Sequence, residues 1–312
     1  MATVVLCALL LWKIDRRDLE AKLTHANLLL VLLAALVATS LSLPGTMRMS
    51  TLLHALSHHH VPPSFWRQTS ILFGAATAHN FLPAPAGEVY RTAALRQRGY
   101  SISLLVAEQL VEKLIEAIGL TLGTLAVVAS GHLPLAVARP LGVAALAGVG
   151  LLVAVVLFAD RLPLQNDSFV ARLIAVVREL RSPWLLARSL CWSVLADVGN
   201  ALTLGLCALA VGAPLPPGGW FVGMLAARSV GLIPTTPGQF GVQEAGVGAA
   251  LVALGLAPAA AGAVALLHHL VHFVPITLIG AVELRRHWNR PAESSASAAN
   301  QTDQSAPTGS DE

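Results

Sequence analysis

Five long apolar runs dominate this chain, and each is long enough to cross the hydrocarbon core of a bilayer. A crossing α-helix needs about 20 mostly apolar residues, and the runs occupy residues 26–46, 102–130, 140–159, 184–211 and 260–282. Only 12% of the residues are charged, whereas 55% are hydrophobic. A soluble domain carries about 25% charged residues. The composition therefore excludes a soluble globule and predicts an all-α, polytopic membrane helix bundle.

Three shorter runs, at 68–83, 219–235 and 241–257, bring the expected number of segments to about seven to nine. The first two end at proline and are followed by small and polar residues, which is typical of broken or re-entrant helices. The opening run, residues 1–12, reaches only about 18 Å. We therefore expect the first helix to be truncated or to begin further upstream.

The chain divides into an integral membrane domain, residues 1–290, and a disordered cytoplasmic tail, residues 291–312. The tail has no Lys or Arg and almost nothing to bury, which is typical of disorder. The connection 164–181 places apolar residues at helical spacing against arginines. It is either a helix lying along the interface or a solvated connector helix.

Basic residues predict the orientation, because cytoplasmic loops carry an excess of Lys and Arg. If each run crosses once, one side keeps only Arg48, Arg67 and Arg139 near its loops. The rich side holds Lys13, Arg16, Arg17, Lys22, Arg91, Arg96, Arg98, Arg161, Arg172, Arg178, Arg181, Arg188, Arg285, Arg286 and Arg290. We expect the rich side, with the C-terminus, to be cytoplasmic.

Two segments at corresponding points of the two halves share the pattern Pro-x-x-x-Gly followed by Glu or Gln. FLPAPAGEVY contains Pro83 and Gly87, and LIPTTPGQFG contains Pro234 and Gly238, 151 residues apart. Paired helix breaks in corresponding positions indicate a transport site. Chance similarity within Gly- and Pro-rich sequence is the alternative explanation.

One predicted helix carries Glu108, Glu112 and Glu116 on a single face, because residues four apart share a helix face. Lys113 lies within reach of Glu116. Each ionisable residue at the centre of a span costs roughly 2.5–3.5 kcal/mol, so these side chains are expected to avoid lipid. They form either a polar stripe along a headgroup or proton path, or a buried ion-pair network that holds helices together.

The polar residues of the first break form a second candidate site. Asn80 precedes the break and would bond freed backbone groups, while Gly87 permits tight backbone geometry. Glu88 and Arg91 are three residues apart and could pair. Arg91 either suits a lipid phosphate or is an ordinary basic flank at the cytoplasmic interface.

The second break gives the strongest candidate site. Arg228 lies within an apolar run and needs an anionic partner, which Glu244 or Asp197 could supply. Exposed amides near Gly238 and Gly241 would make an anion-binding helix start.

Histidines and catalytic motifs add little to these sites. His268 and His272 are four residues apart and His269 lies on another face, but a metal site needs further ligands. We expect structural or headgroup-contacting histidines, with no metal and no cofactor. No nucleophile elbow, P-loop, HExxH motif or dinucleotide fingerprint occurs, so no catalytic residue is predicted.

At these motifs the chain resembles the lysylphosphatidylglycerol synthase transmembrane family, also described as flippase-like. The first family signature is matched by NFLPAPAGEVYR and VEKL, that is, by Asn80, Leu82, Pro83, Gly87, Glu88, Arg91, Glu112 and Lys113. The second and more specific one is matched by PTTPGQFGVQE, with Pro234, Pro237, Gly238, Gly241 and Glu244. Gln239 replaces a glycine of that signature, and Lys113 stands where the family usually has Arg. The resemblance spans about 25–285.

The soluble aminoacyl-transferring domain of full-length synthases is absent from this sequence, so the resemblance implies the lipid-moving part. We expect a bacterial inner-membrane lipid translocase, or a lipid-binding transporter, that handles a phospholipid or polyprenyl-lipid headgroup. Arg91 and Arg228 would hold its phosphate, while Glu108, Glu112 and Glu244 would hold the arginines or a cationic headgroup.

Two alternatives remain open. The chain is a membrane subunit of a phosphatidylglycerol lysyltransferase, or of another lipid-modifying enzyme, with a separate transferase partner, or it is a structural membrane scaffold. Membrane lipids are the expected partners, and a net charge of +3 is too small to suggest nucleic acid.

Overall fold

The computed structural model describes residues 16–56, 62–82, 85–131, 135–158, 182–231 and 237–288, and this part of the chain is helical without any strand. The helices are α1 (Arg16–Thr24), α2 (Leu28–Ser40), α3 (Ser42–Leu56), α4 (Phe65–Phe81), α5 (Ala86–Arg96), α6 (Ile102–Ala129), α7 (Leu135–Phe158), α8 (Pro183–Ala210), α9 (Pro217–Gly231), α10 (Val242–Ala253) and α11 (Pro258–Trp288). A 3₁₀ turn, Pro237–Gln239, precedes α10. The predictions for 1–12, 164–181, the tail, Pro83 and Pro234 lie outside the described residues.

Among the described residues, three helical segments are both long and apolar enough to cross a membrane: Leu28–Leu56, Pro183–Ala210 and Pro258–Arg286. The last two coincide within a few residues with predicted runs, and the all-α membrane helix bundle is confirmed. The first runs ten residues beyond its predicted end, because only Leu41 separates α2 from α3 and its backbone is itself helical. Arg48 therefore lies inside a helix, and its predicted position on one side of the bundle is wrong.

Two short helical hairpins flank the predicted breaks. In α4–α5, Gly74 packs against the Tyr90 ring and Gly87 packs against the Ala75 carbonyl, so the two helices run antiparallel. Glycine is required at Gly87, because a Cβ there would lie 2.7 Å from the Ala75 oxygen. Neither helix reaches the roughly 30 Å of a bilayer core, since 17 residues span about 25 Å.

The second hairpin, α9–α10, has the same architecture. A Cβ on Gly223 would lie 3.3 Å from Leu251, and one on Gly219 would lie 3.5 Å from Leu254, so these helices also run antiparallel. The break connects them at one end. The predicted pair of broken helices thus corresponds to two helical hairpins.

The two hairpins approach the middle of α11 from opposite ends. The start of α4 contacts the end of α11, where Ser70 Oγ donates to Glu283 at 2.5 Å, whereas Asn80 at its tip donates to Thr277 at 2.8 Å. The end of α10 is joined to the start of α11 by a turn of four residues. Each hairpin therefore has its base at a different end of the bundle.

The hairpin tips meet beside Phe273, which lies fifteen residues from either end of α11. The Phe240 ring is 4.9 Å from the Phe273 ring, and the Phe81 ring is 6.0 Å from it. His79 Nε2 and Gln239 Nε2 lie 3.4 Å apart, one from each tip. Fifteen residues of helix span about 22 Å, so the breaks lie at the mid-depth of this spanning helix.

We name the two ends of the bundle after the first and last residues of α11, as the Pro258 end and the Trp288 end. The Asn27 amide donates to the Ala210 carbonyl at 2.9 Å, where α8 ends, and Leu23 of α1 packs on the core cluster that contains Ala261. The first helix therefore lies at the Pro258 end. The ends of α3 and α5 and the start of α4 lie at the Trp288 end.

This arrangement corrects the predicted sides. Lys22 of α1 lies at the opposite end of the bundle from Arg285 and Arg286, and Arg67, which pairs with Glu283, lies at the same end as they do. Both errors have one cause. The hairpin α4–α5 enters the bundle and returns to the same end. Because the prediction counted its run as one crossing, every residue before the hairpin was assigned to the wrong side relative to the residues after it.

Candidate functional site

A buried charge network joins α3, α5 and α6. Glu108, Glu112 and Glu116 lie one above another on α6, and Arg48 of α3 and Arg91 of α5 lie against them. Glu116 is the most exposed of the five, with 18% of its side chain accessible. Buried charges are tolerated when they are paired and hydrogen-bonded, and each of these five is paired.

Glu112 is the centre of the network. Its Oε1 accepts from Arg48 Nε at 3.2 Å and Nη2 at 2.7 Å, and its Oε2 accepts from Arg91 Nη1. Arg91 Nη2 also lies 2.5 Å from both Glu108 oxygens, and Arg48 Nη2 lies 2.5 Å from Glu116. One carboxylate is thus shared by two guanidinium groups, each of which holds a second carboxylate.

The sequence pattern did not indicate Arg48 as part of the site, although the excess of negative charge on α6 indicated that a further cation was needed. Three glutamates against Lys113 leave α6 with two negative charges, which burial requires to be compensated. Arg91 supplies one positive charge and Arg48 the other. Of the two interpretations offered for α6, the geometry favours the ion-pair network.

The predicted pairing of Arg91 is wrong, whereas Lys113 contacts Glu116 as predicted but is not buried. Arg91 pairs with Glu108 and Glu112 rather than with Glu88, whose position on α5 leaves only its carbonyl near α6, 3.5 Å from Gln109 Nε2. Lys113 is not enclosed with the carboxylates. Its side chain is 57% exposed and makes a single 3.4 Å contact with Glu116, because it lies on the outward face of α6.

A second polar group lies near the hairpin tips, at mid-depth. Arg228, in the last turn of α9, donates from Nη2 to Asp197 Oδ1 at 3.2 Å. Asp197, rather than Glu244, is therefore its anionic partner. The Arg228 side chain remains 31% exposed, whereas that of Asp197 is 8% exposed. Arg228 is thus an accessible cation near the tips, and its remaining donors have no hydrogen-bond partner among the described residues.

Glu244 has a different role, since it lies at the start of α10. Its Oε2 accepts from the Gly241 amide at 2.6 Å, and its Oε1 lies 2.6 Å from His269 Nδ1. An acidic side chain in the first turn stabilises a helix through the free amides there. Glu244 thereby fixes the second hairpin tip to α11.

Backbone geometry at the second tip explains its glycines. Gly238 has φ +65° and Gly241 has φ +85°, a region that favours glycine. Gln239 between them also has positive φ, at +56°. Pro237 begins the 3₁₀ turn. The predicted glycine positions are therefore required by the turn, and a Cβ on Gly238 would lie 3.0 Å from the Asn80 carbonyl across the tips.

A continuous polar seam on α8 connects the two groups. Ser193 Oγ accepts from Arg48 Nη1 at 2.9 Å, and Asp197 follows one helical turn later. Asn200 then contacts His272 Nε2 at 3.1 Å. Asp197 and Asn200, three residues apart on α8, both face this seam.

A further ion pair lies outside the predicted site. Arg67 of α4 pairs with Glu283 of α11, whose carboxylate also accepts from Ser70 Oγ. Glu283 is 3% exposed. The signal in the sequence was Glu283 itself, a single acidic residue at the end of an apolar run. A buried carboxylate at such a position needs a cationic partner. This pair anchors the base of the first hairpin.

The chain is similar to a known protein family. The family model described as Lysylphosphatidylglycerol synthase TM region matches residues 1–280, which include both hairpins and the charge network. No match to a curated protein reaches significance.

Proposed function

This chain belongs to the lysylphosphatidylglycerol synthase TM-region family, and from that premise we propose that it translocates the headgroup of a phospholipid across the bilayer. The family indicates a function related to membrane lipids, and together with the apolar helices it supports a membrane location. Translocation, the identity of the lipid and the residues that hold it are the content of the proposal.

The observation that carries the proposal is the meeting of two hairpin tips at mid-depth. Discontinuous helices whose breaks meet near the bilayer midplane are the usual setting of a transport site. Here the tips come from opposite ends of the bundle and meet beside Phe273, close to polar groups that are costly inside a membrane. A structural scaffold has no need of accessible charge at this depth.

Arg228 is the residue we assign to the headgroup phosphate. It is partly exposed and has one 3.2 Å contact, so a phosphate can bind its free donors without breaking a strong pair. Guanidinium groups bind phosphate in a bidentate geometry. Arg91 lacks this freedom, because it is 6% exposed and is held by Glu108 and Glu112. We therefore assign Arg91 a positioning role.

The distribution of positive charge supports an orientation with the Trp288 end in the cytoplasm. That end carries Arg67, Arg96, Arg98, Arg188, Arg285 and Arg286, while the Pro258 end carries Arg16, Arg17, Lys22 and Arg139. Cytoplasmic ends hold the excess of Lys and Arg. The proposed setting is the bacterial plasma membrane.

The test is a lipid-translocation assay in proteoliposomes, with fluorescent phospholipid and a membrane-impermeant quencher. Arg228→Gln is expected to reduce the translocation rate at least tenfold, and Arg228→Lys to restore part of it, because charge returns without the bidentate fork. Arg96→Gln is the matched control, an exposed arginine outside the seam. Equal rates for Arg228→Gln and wild type would remove Arg228 from the site.

The family is named after a synthase, and this name favours one competing function. In that case the chain would be the membrane subunit of a lipid-modifying enzyme. That function predicts no translocation by the purified chain and a raised rate of lipid modification when a soluble transferase is added. The same proteoliposomes distinguish the two, because the lipids are identified by mass spectrometry after the translocation assay.

A further inference from the structure

A cavity with both polar and apolar lining residues opens at the Trp288 end of the bundle, between the last two turns of α3 and the first two turns of α8. We call it the mouth pocket. Its volume is about 460 Å³. Its lining includes Ser50, Thr51, His54, Ser182, Trp184 and Arg188. It lies apart from the hairpin tips, and none of the residues considered above for the headgroup lines it.

Among its described lining residues, the pocket has a positive charge without a compensating negative one. Arg188 is exposed and has no ion pair in the part of the chain that the structure describes. The described lining contains no carboxylate, but it offers hydroxyl groups and the His54 ring, whose Nδ1 lies 2.7 Å from the Ser50 carbonyl. A cation among hydroxyl groups, with no carboxylate nearby, is suited to an anion such as a phosphate diester.

The surroundings of the pocket indicate a lipid rather than a soluble anion. Trp184 is 74% exposed at the start of α8, a helix long and apolar enough to span a membrane. Exposed tryptophan at the end of a spanning helix is typical of the membrane–water interface. Headgroup phosphates occupy the same level, so Arg188 and Trp184 lie where a phosphate and its glycerol would be.

The pocket also leads into the bundle along the polar seam of α8. Ser189 follows Arg188, is fully buried and has no hydrogen-bond partner for Oγ among the described residues. Ser193 and Asp197 follow at intervals of four residues on the same helix face. The distance along the helix from Arg188 to Asp197 is nine residues, or about 13 Å.

We propose that the mouth pocket binds the phosphate of a phospholipid headgroup at the interface, and that this is where the lipid is held before its headgroup enters the seam. The first half of this proposal stands alone, while the second half rests on the proposed translocation. Arg188 supplies the charge, the hydroxyl groups and His54 orient the phosphate, and Trp184 packs against the glycerol region.

The experiment measures binding of an anionic phospholipid, phosphatidylglycerol, to protein in phosphatidylcholine nanodiscs, through energy transfer from tryptophan to a labelled acyl chain. Arg188→Gln is expected to weaken binding about fivefold, or ~1 kcal/mol, the usual net contribution of one direct hydrogen-bonded contact such as that to the phosphate. His54→Gln is expected to weaken it less. Arg96→Gln, at the same end but outside the pocket, is expected to leave it unchanged.

Equal losses with Arg188→Gln and Arg96→Gln would show attraction to surface charge alone and overturn the site. Binding of inorganic phosphate to the detergent-purified protein, with the same dependence on Arg188, would overturn the assignment to a lipid. Translocation separates this proposal from the previous one. Arg228→Gln is expected to reduce transport at least tenfold while leaving binding at the mouth intact. Wild-type protein that binds lipid through Arg188 but does not translocate it would refute the proposed function and the holding step that rests on it, but not lipid binding at the mouth pocket.

Discussion

Glu112→Gln is the substitution that tests the buried network most directly. The glutamine amide would place an N–H₂ group against one of two guanidinium groups, so that a donor faces a donor where a carboxylate now accepts from both Arg48 and Arg91. Removing one partner of a buried charge pair costs about 3–5 kcal/mol. We expect a loss in this range, because Glu112 is 5% exposed.

The assay is reversible unfolding in mixed micelles titrated with sodium dodecyl sulfate, followed by helical circular dichroism. Lys113→Gln is the matched control on the same helix, and we expect it to cost at most ~1 kcal/mol, because an exposed ion pair contributes little. Combining Glu112→Gln with Arg48→Gln should cost less than the sum of the two single changes. A loss below ~1 kcal/mol for Glu112→Gln would refute the claim that this carboxylate holds α3 and α5 to α6.

Two further outcomes follow from the packing of α11, and a third concerns Gly248 of α10 as a control. Gly280→Ala is expected to lower the free energy of unfolding by ~1–3 kcal/mol, because the new Cβ would overlap Thr77 of α4. Gly248→Ala, where a Cβ meets nothing within 4 Å, is expected to change stability by no more than ~1 kcal/mol and in the stabilising direction; the same unfolding assay checks both. Glu283→Gln is expected to cost about 3 kcal/mol and to free the base of the first hairpin from Arg67, which proteolysis near residue 65 would detect as faster cleavage.

The apolar runs predicted the helices because length and hydropathy are local properties. The spans around 184–211 and 260–282 were located within a few residues. The end of the bundle at which each loop lies was not predicted correctly. The composition of a run of 16 residues is the same whether the chain crosses the membrane there or enters it and returns to the same side. Whether the first hairpin returns depends on the close approach of Gly87 to Ala75, and this contact is invisible in a hydropathy profile.

Predictions about the site had a similar limit. The carboxylates of α6 could be placed on one face from their spacing alone. Their partners could not, since Arg48 is 64 residues from Glu112 and Ser193 is 145 residues from Arg48. The pairing of Arg228 with Asp197 was one of two choices, and Glu244 was excluded only by its position at the start of α10.

The position of Asp197 and Arg228 has an electrical consequence. Asp197 lies fourteen residues from the first residue of α8 and thirteen from the last, so a headgroup that reaches this pair has crossed about half of the membrane potential. Moving one elementary charge through the full potential corresponds to ~2.3 kcal/mol per 100 mV, and half of it to about 1.2 kcal/mol. In a cell with a negative interior, each half of the journey would favour outward movement of an anionic lipid and oppose that of a cationic one. The membrane potential would then discriminate between anionic and cationic lipids without any contribution from a side chain.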